Sequence, residues 1–143
     1  MSYDIKNVFK VYKQVEKAND LEKSSYEIVK LVLNELSRSM QLLIYEIDKK
    51  KSFIVSRQRH LIIDTQKTIQ RHVAKCITSI YSLQVSLDFE KGGEISTNLF
   101  QLYEYCRAQI IQAFCINDYT NLKKARAALD EIIIGRAPAF LRL

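Results

Sequence analysis

The sequence predicts an all-α protein, an antiparallel up-and-down four-helix bundle with an additional short N-terminal helix. Three observations lead there. The 143 residues include only 3 Gly, 1 Pro and no Trp, so there is turn chemistry for few reversals. Apolar residues recur in long runs at steps of three and four, the spacing of one helical face. Two of the glycines, Gly92 and Gly93, stand side by side between two long runs, where a residue free to adopt positive φ marks a reversal. An apolar content of 48% supports one core, so residues 1–143 are read as a single domain: an N-terminal segment 1–20, a bundle 24–134 and a tail 135–143.

The first stretch, about Ile5 to Lys17, carries Val8, Tyr12 and Val15 at helical spacing and is too short to be stable without packing. Asn19-Asp20 breaks it. The second runs from about Ser25, with Ser24-Ser25 as cap, to Lys49. Its stripe of Val29, Val32, Leu36, Met40, Leu43 and Ile47 is widened by Ile28, Leu31, Leu33, Leu42, Ile44 and Tyr45, a face broad enough for more than one neighbour. A basic connection from Lys49 to Arg59 follows. The third stretch, from between Phe53 and Leu61 to about Leu87, places Ile69, Val73, Cys76, Ile80, Leu83 and Leu87 on one seam. The fourth, Glu94 to Ile116, has the seam Ile95, Leu99, Leu102, Cys106, Ile110 and Ala113, with Phe100, Tyr103, Ile111 and Phe114 in a second line beside it. Asn117-Asp118 closes it. The fifth, Tyr119 to Ile134, repeats the spacing through Leu122, Ala125, Leu129 and Ile132 and ends at Gly135 and Pro138.

Charge is unevenly spread. The net charge is +6, yet Lys49 to Lys75 alone contains eight basic residues against the single acid Asp64. The bland reading is a solvated helix face and a loop. Binding of nucleic acid or anionic lipid through phosphate contacts is the other, but Phe53 is the only aromatic in this run and no nucleic-acid motif is present, so nucleic acid is the disfavoured partner. Contact with an acidic protein is a third reading. His72 and Cys76 lie four apart, but only His60 and distant cysteines remain as further ligands, so no metal site is expected. The odd cysteines Cys76, Cys106 and Cys115 read as free thiols of a reducing compartment. Met1-Ser2-Tyr3-Asp4 shows no signal peptide and no apolar run would span a bilayer, so a cytoplasmic protein without membrane insertion is expected. No phosphate loop or nucleophile–base spacing suggests an enzyme.

The run Ser86-Leu87-Asp88-Phe89-Glu90-Lys91-Gly92-Gly93-Glu94-Ile95, with Asn98-Leu99 and Leu102-Tyr103-Glu104-Tyr105 beyond it, resembles the signature of the flagellin-specific export chaperones of bacterial flagella. Leu87, Asp88, Glu90, Lys91, Gly92, Gly93 and Glu94 carry the corner motif. Tyr12-Lys13-Gln14-Val15 matches a Tyr-x-Gln-Val element near the N-terminus. The chain departs from the family at Ser25-Tyr26, where a proline is usual, at Asn34-Glu35-Leu36, and in having no C-terminal Trp. The resemblance implies a cytoplasmic binding protein without cofactor. Its client would be the C-terminal segment of flagellin, disordered before export, laid along apolar grooves so that it cannot polymerise early. An export-gate component or another flagellar regulator would be a further partner, and an exposed groove leaves a homodimer open.

The surplus apolar positions Ile28, Leu33, Ile44, Phe100, Tyr103 and Phe114 are the candidate groove residues. Val8, Phe9, Tyr12 and Val15 are expected to cover the groove as a lid when no client is bound. Deleting residues through Lys17 is then expected to tighten client binding; an unchanged or weaker affinity would remove the lid reading.

Overall fold

The computed structural model describes residues 21–135, with side chains from Tyr26 onward. Four helices succeed one another: α1 (Leu21–Val55), α2 (Arg59–Val85), α3 (Phe89–Ile116) and α4 (Thr120–Ile133), with no strand among the described residues. The expected N-terminal helix, its lid positions Val8, Phe9, Tyr12 and Val15, and the tail beyond Gly135 lie outside the described residues. Each helix packs on the next, and α4 closes the ring against α1. Cross-contacts fix the directions. Glu35 meets Lys75 while Lys50 meets Gln66, so α2 runs antiparallel to α1. Tyr119 meets Asp48 while Arg126 meets Ser37, so α4 does the same.

The seams read from the sequence form the core, except at Ile95, which just beyond the Gly93 hinge is 70% exposed. Leu36, Met40, Leu43 and Ile47 of α1 face Ile69, Cys76 and Ile80 of α2, Leu102, Cys106 and Ile110 of α3, and Leu122, Ala125 and Leu129 of α4. The α1–α4 joint is polar at its rim. The Arg126 Nε donates to the Ser37 carbonyl (3.0 Å) and hydroxyl (3.2 Å), and that hydroxyl donates to Asp130 (2.5 Å). Burial pushes the Cys76 and Cys106 thiols up to about 12. Both are therefore small core hydrophobes, whereas Cys115 is exposed.

Helix boundaries depart from expectation at two places. The basic stretch after Lys49 is helix, not loop: α1 is already helical at Leu21 and continues to Val55. Nothing between Lys49 and Val55 stops it, since lysine is a good helix former and no Gly, Pro or Asn intervenes. The reversal takes only Ser56, Arg57 and Gln58. Gln58 N–H donates to the Phe53 carbonyl (3.0 Å) and Arg57 N–H to the Ile54 carbonyl (3.2 Å), the paired bonds of a Schellman cap. Arg57 takes the left-handed position (φ 58°) that glycine usually fills.

The second departure is at the glycine pair. α2 stops at Val85, and Asp88 caps the next helix by accepting from the N–H groups of Glu90 and Lys91, both at 3.0 Å. One helical turn follows, then Gly93 at φ 51°, ψ −122°. The chain folds back at that residue. The Ser96 hydroxyl donates to the Asp88 carbonyl at 2.9 Å, although eight residues of straight helix would separate them by about 12 Å. Phe89 and Phe100 likewise meet, with ring centroids 6.1 Å apart. α3 is thus a short turn, a hinge at Gly93, and a long helix beginning near Glu94. At Gly92 an added Cβ would collide with the Ser96 hydroxyl. The break expected at Asn117 is present, with φ 54°, and Gly135 ends α4 at φ 85°.

Two substitutions at positive φ should have opposite signs. Arg57→Gly is expected to stabilise the fold by about 1 kcal/mol, because glycine removes the left-handed penalty. Gly93→Ala is expected to destabilise it by about 1–3 kcal/mol. Urea unfolding of both variants checks this. In the native protein a thiol reagent should modify Cys115 rapidly, and Cys76 and Cys106 only on unfolding.

Candidate interaction surface on α2 and α3

Between Ile95 and Ile116 the only charged residues are Glu104 and Arg107. They neutralise each other. The Arg107 Nη2 donates to both Glu104 oxygens, at 2.6 Å to Oε2, and the Gln84 Nε2 adds a bond of 2.8 Å. The Arg107 bond first, and the Gln84 bond second, hold the Glu104 carboxyl below the usual carboxylate range. The rest of the outward side is apolar or amide: Phe100 (38% exposed), Gln101, Ala108, Ile111 (46%), Gln112 and Cys115. Phe100 and Ile111 are three turns apart and share the side of Glu104, which Gln84 places toward α2.

α2 continues the same chemistry. Val73 and Ile77 are half-buried and pack on the core, while Tyr81 and Val85 are exposed farther along. Gln70 and Gln84 are its polar members on that side. From Val73 to Val85 the single charged residue is Lys75, and its ammonium is committed to Glu35 of α1 at 2.5 Å. The outcome is a surface two helices wide, aliphatic and aromatic with uncharged amides between, and without net charge. Such a patch is the chemistry of a protein-docking face, where charged groups are depleted because desolvating them is costly.

The sequence-expected groove residues divide. Phe100 is on this surface, and Phe114 is half-buried beneath the same helix, packed on the core. Ile44 is half-buried against the core, and Ile28 is half-buried near the start of α1. Leu33 (7% exposed) and Tyr103 (2%) are corrections: both are core residues. The core line of α3 runs between the two expected lines, through Leu102 and Tyr103 together, so Tyr103 faces inward with Cys106. Tyr81, Ala108, Ile111 and Cys115 were not singled out as site residues. The signal that would have found them was the lack of charge from Ile95 to Ile116, not the spacing of apolar residues.

The corner motif serves architecture. Asp88 caps and Gly93 turns the chain, Leu87 packs on the core, and Glu90, Lys91 and Glu94 are exposed. Burial holds the His72 imidazole below its ordinary value, with Glu46 opposing and Arg71 and Lys75 adding to the effect. No three His, Cys, Asp or Glu side chains converge as metal ligands among the described residues. No helix among them is long and apolar enough to cross a membrane.

Comparison with known proteins matches this architecture to one family. The chain is similar to the flagellar secretion chaperone FliSB of Pseudomonas aeruginosa, 40% identical over 63 residues, which is 44% of this chain and 50% of that protein. It is also similar to the flagellar secretion chaperone FliS of Salmonella typhimurium, 42% identical over 50 residues, covering 35% of this chain and 37% of the relative. The matches thus span half or less of these relatives' lengths. No solved structure matches. The family model described as flagellar protein FliS matches residues 10–134, nearly the whole bundle with its corner motif, and the chain belongs to that family.

Proposed function

We propose that the protein is a cytoplasmic flagellar secretion chaperone that binds the disordered C-terminal segment of flagellin, blocks its premature polymerisation and assists its export. The observation that carries this reading is the uncharged face of α2 and α3. An amphipathic client helix would lay its i, i+3, i+4 and i+7 anchors against Phe100, Ile111, Ile77 and Tyr81. Burying about 1,000 Å² of apolar surface is worth roughly 25 kcal/mol gross. Ordering the client and losing its translational freedom offset most of that, leaving an affinity that is tight yet reversible. The work is binding and release, with no bond made or broken. An export-gate component would meet the loaded chaperone afterwards.

Calorimetric titration with a C-terminal flagellin peptide from the same organism tests this. Binding near one to one is expected, with a negative heat-capacity change and little dependence on salt. Ile111→Glu and Phe100→Glu should each weaken it at least about tenfold, since each would bury a charge in an apolar contact. Tyr45→Glu, on the outward face of α1, should not. Bound peptide should also slow the modification of Cys115. Absence of binding at either salt would reject the client, whereas binding indifferent to Ile111→Glu would reject the surface.

A further inference from the structure

The α1–α2 tip lies at the end of α2 opposite the Gly93 hinge, about 40 Å away by helix rise. It extends past the other two helices. The α3–α4 connection reaches α1 at Lys51, whose ammonium pairs with Asp118 at 3.2 Å, and α1 runs on to Val55 before turning. The apex exposes aliphatic side chains: Val55 is 84% exposed, Ile63 57% and Ile54 46%. The Schellman cap at Arg57 holds them in place, so little order has to be gained on contact.

Cations surround this apex. Lys49, Lys51 and Lys75 have carboxylate partners in Glu46, Asp118 and Glu35. Among the described residues Lys50 and Arg71 donate to the neutral Gln66 and Thr68 and to no carboxylate. Arg57, Arg59 and Lys67 have no carboxylate partner among the described residues, and Asp64 is the one acid from Lys49 to Lys75. Exposed aliphatics at an apex, ringed by unmatched cations, fit an anionic bilayer interface, which takes the former among its acyl chains and the latter at its phosphates. Nucleic acid fits less well. It has no use for the aliphatic apex, and the tip offers no exposed Phe, Tyr or Trp for bases to stack on among the described residues: Phe53 is half-buried, and the exposed ring there is the small imidazole of His60. An acidic peptide would use the cations but not the aliphatic apex, where Val55 is 84% exposed.

We propose that the α1–α2 tip is a membrane-contact site, with Val55, Ile54 and Ile63 entering the interface of an anionic bilayer while Lys50, Arg57, Arg59 and Lys67 bind its lipid phosphates. The inference is independent of the client, whose proposed face is on the sides of α2 and α3.

Flotation with vesicles tests it, comparing phosphatidylcholine alone with an equal mixture of phosphatidylcholine and phosphatidylglycerol. The full chain should float with the mixed vesicles only, and less so as salt rises. The exposed double variant R57E/R59E should lower partitioning at least about twentyfold, given roughly fivefold per basic residue at such a surface. Because the chain has no tryptophan, Val55→Trp supplies a local reporter, and its emission should shift to the blue on mixed vesicles. No flotation, flotation indifferent to R57E/R59E, or Val55→Trp emission that does not move would overturn the proposal. So would binding of a short nucleic-acid duplex by a protein that ignores both kinds of vesicle.

Discussion

The reversal at Gly93 is the constraint on which the rest of the bundle depends. It is held by two hydrogen bonds to one carbonyl: Asp88 O accepts from the Gly92 N–H at 2.8 Å and from the Ser96 hydroxyl at 2.9 Å. These bonds set where α3 begins, and therefore its register on α2, which Gln84 and Glu104 then record. A slip of one residue would rotate α3 by about 100°. Glu104 and Arg107 would then move toward the core, and Tyr103 or Cys106 away from it. The family motif thus decides which side of α3 faces outward, and in the proposed function it would serve recognition without touching a client.

An outward face so poor in charge still has to be hydrated when nothing covers it. Glutamine is the compromise here. Gln70, Gln84, Gln101 and Gln112 keep the surface hydrated, and an amide costs far less to desolvate than an ammonium or carboxylate. The Glu104–Arg107 pair follows the same logic at close range, presenting a matched dipole where either ion alone would oppose an apolar partner. Its exposure gives it little part in stability. It keeps a charged turn of α3 from spoiling the neighbouring Phe100 and Ile111.

Much of the fold was legible in the sequence. Steps of three and four along Leu36, Met40, Leu43 and Ile47, or Ile69, Cys76, Ile80 and Leu83, can be satisfied by one helical face only, and those residues are the core. What was not legible was a stop without a stop signal. The α1–α2 turn uses Arg57 in a conformation that glycine normally marks, so the reversal has no letter of its own and the helical extension from Lys50 to Val55 reads as a loop. Site residues were harder for a different reason. Periodicity locates a helical face but not the neighbour that covers it, so Tyr103 and Phe100 looked equivalent until α4 and α2 were in place around α3. Charge pattern carried the missing information, because a face held open for an apolar partner excludes ions, whereas an ordinary solvent face is full of them.

The two halves of the charge distribution then explain each other. A net charge of +6 spread evenly over the bundle would put cations on α3 and the adjoining side of α2, and each would have to be desolvated when a partner docked there. Concentrating it between Lys49 and Lys75, mostly at the end away from the Gly93 hinge, keeps the molecule charged in solution and leaves the docking face neutral. The segregation also makes the two surfaces answer to different variables. Contacts on α2 and α3 depend on apolar area and shape and are nearly blind to ionic strength, while contacts at the tip weaken as salt screens them. If both proposed surfaces are occupied, the molecule would hold one partner through changes in ionic environment that detach it from the other, without any conformational change linking the two ends.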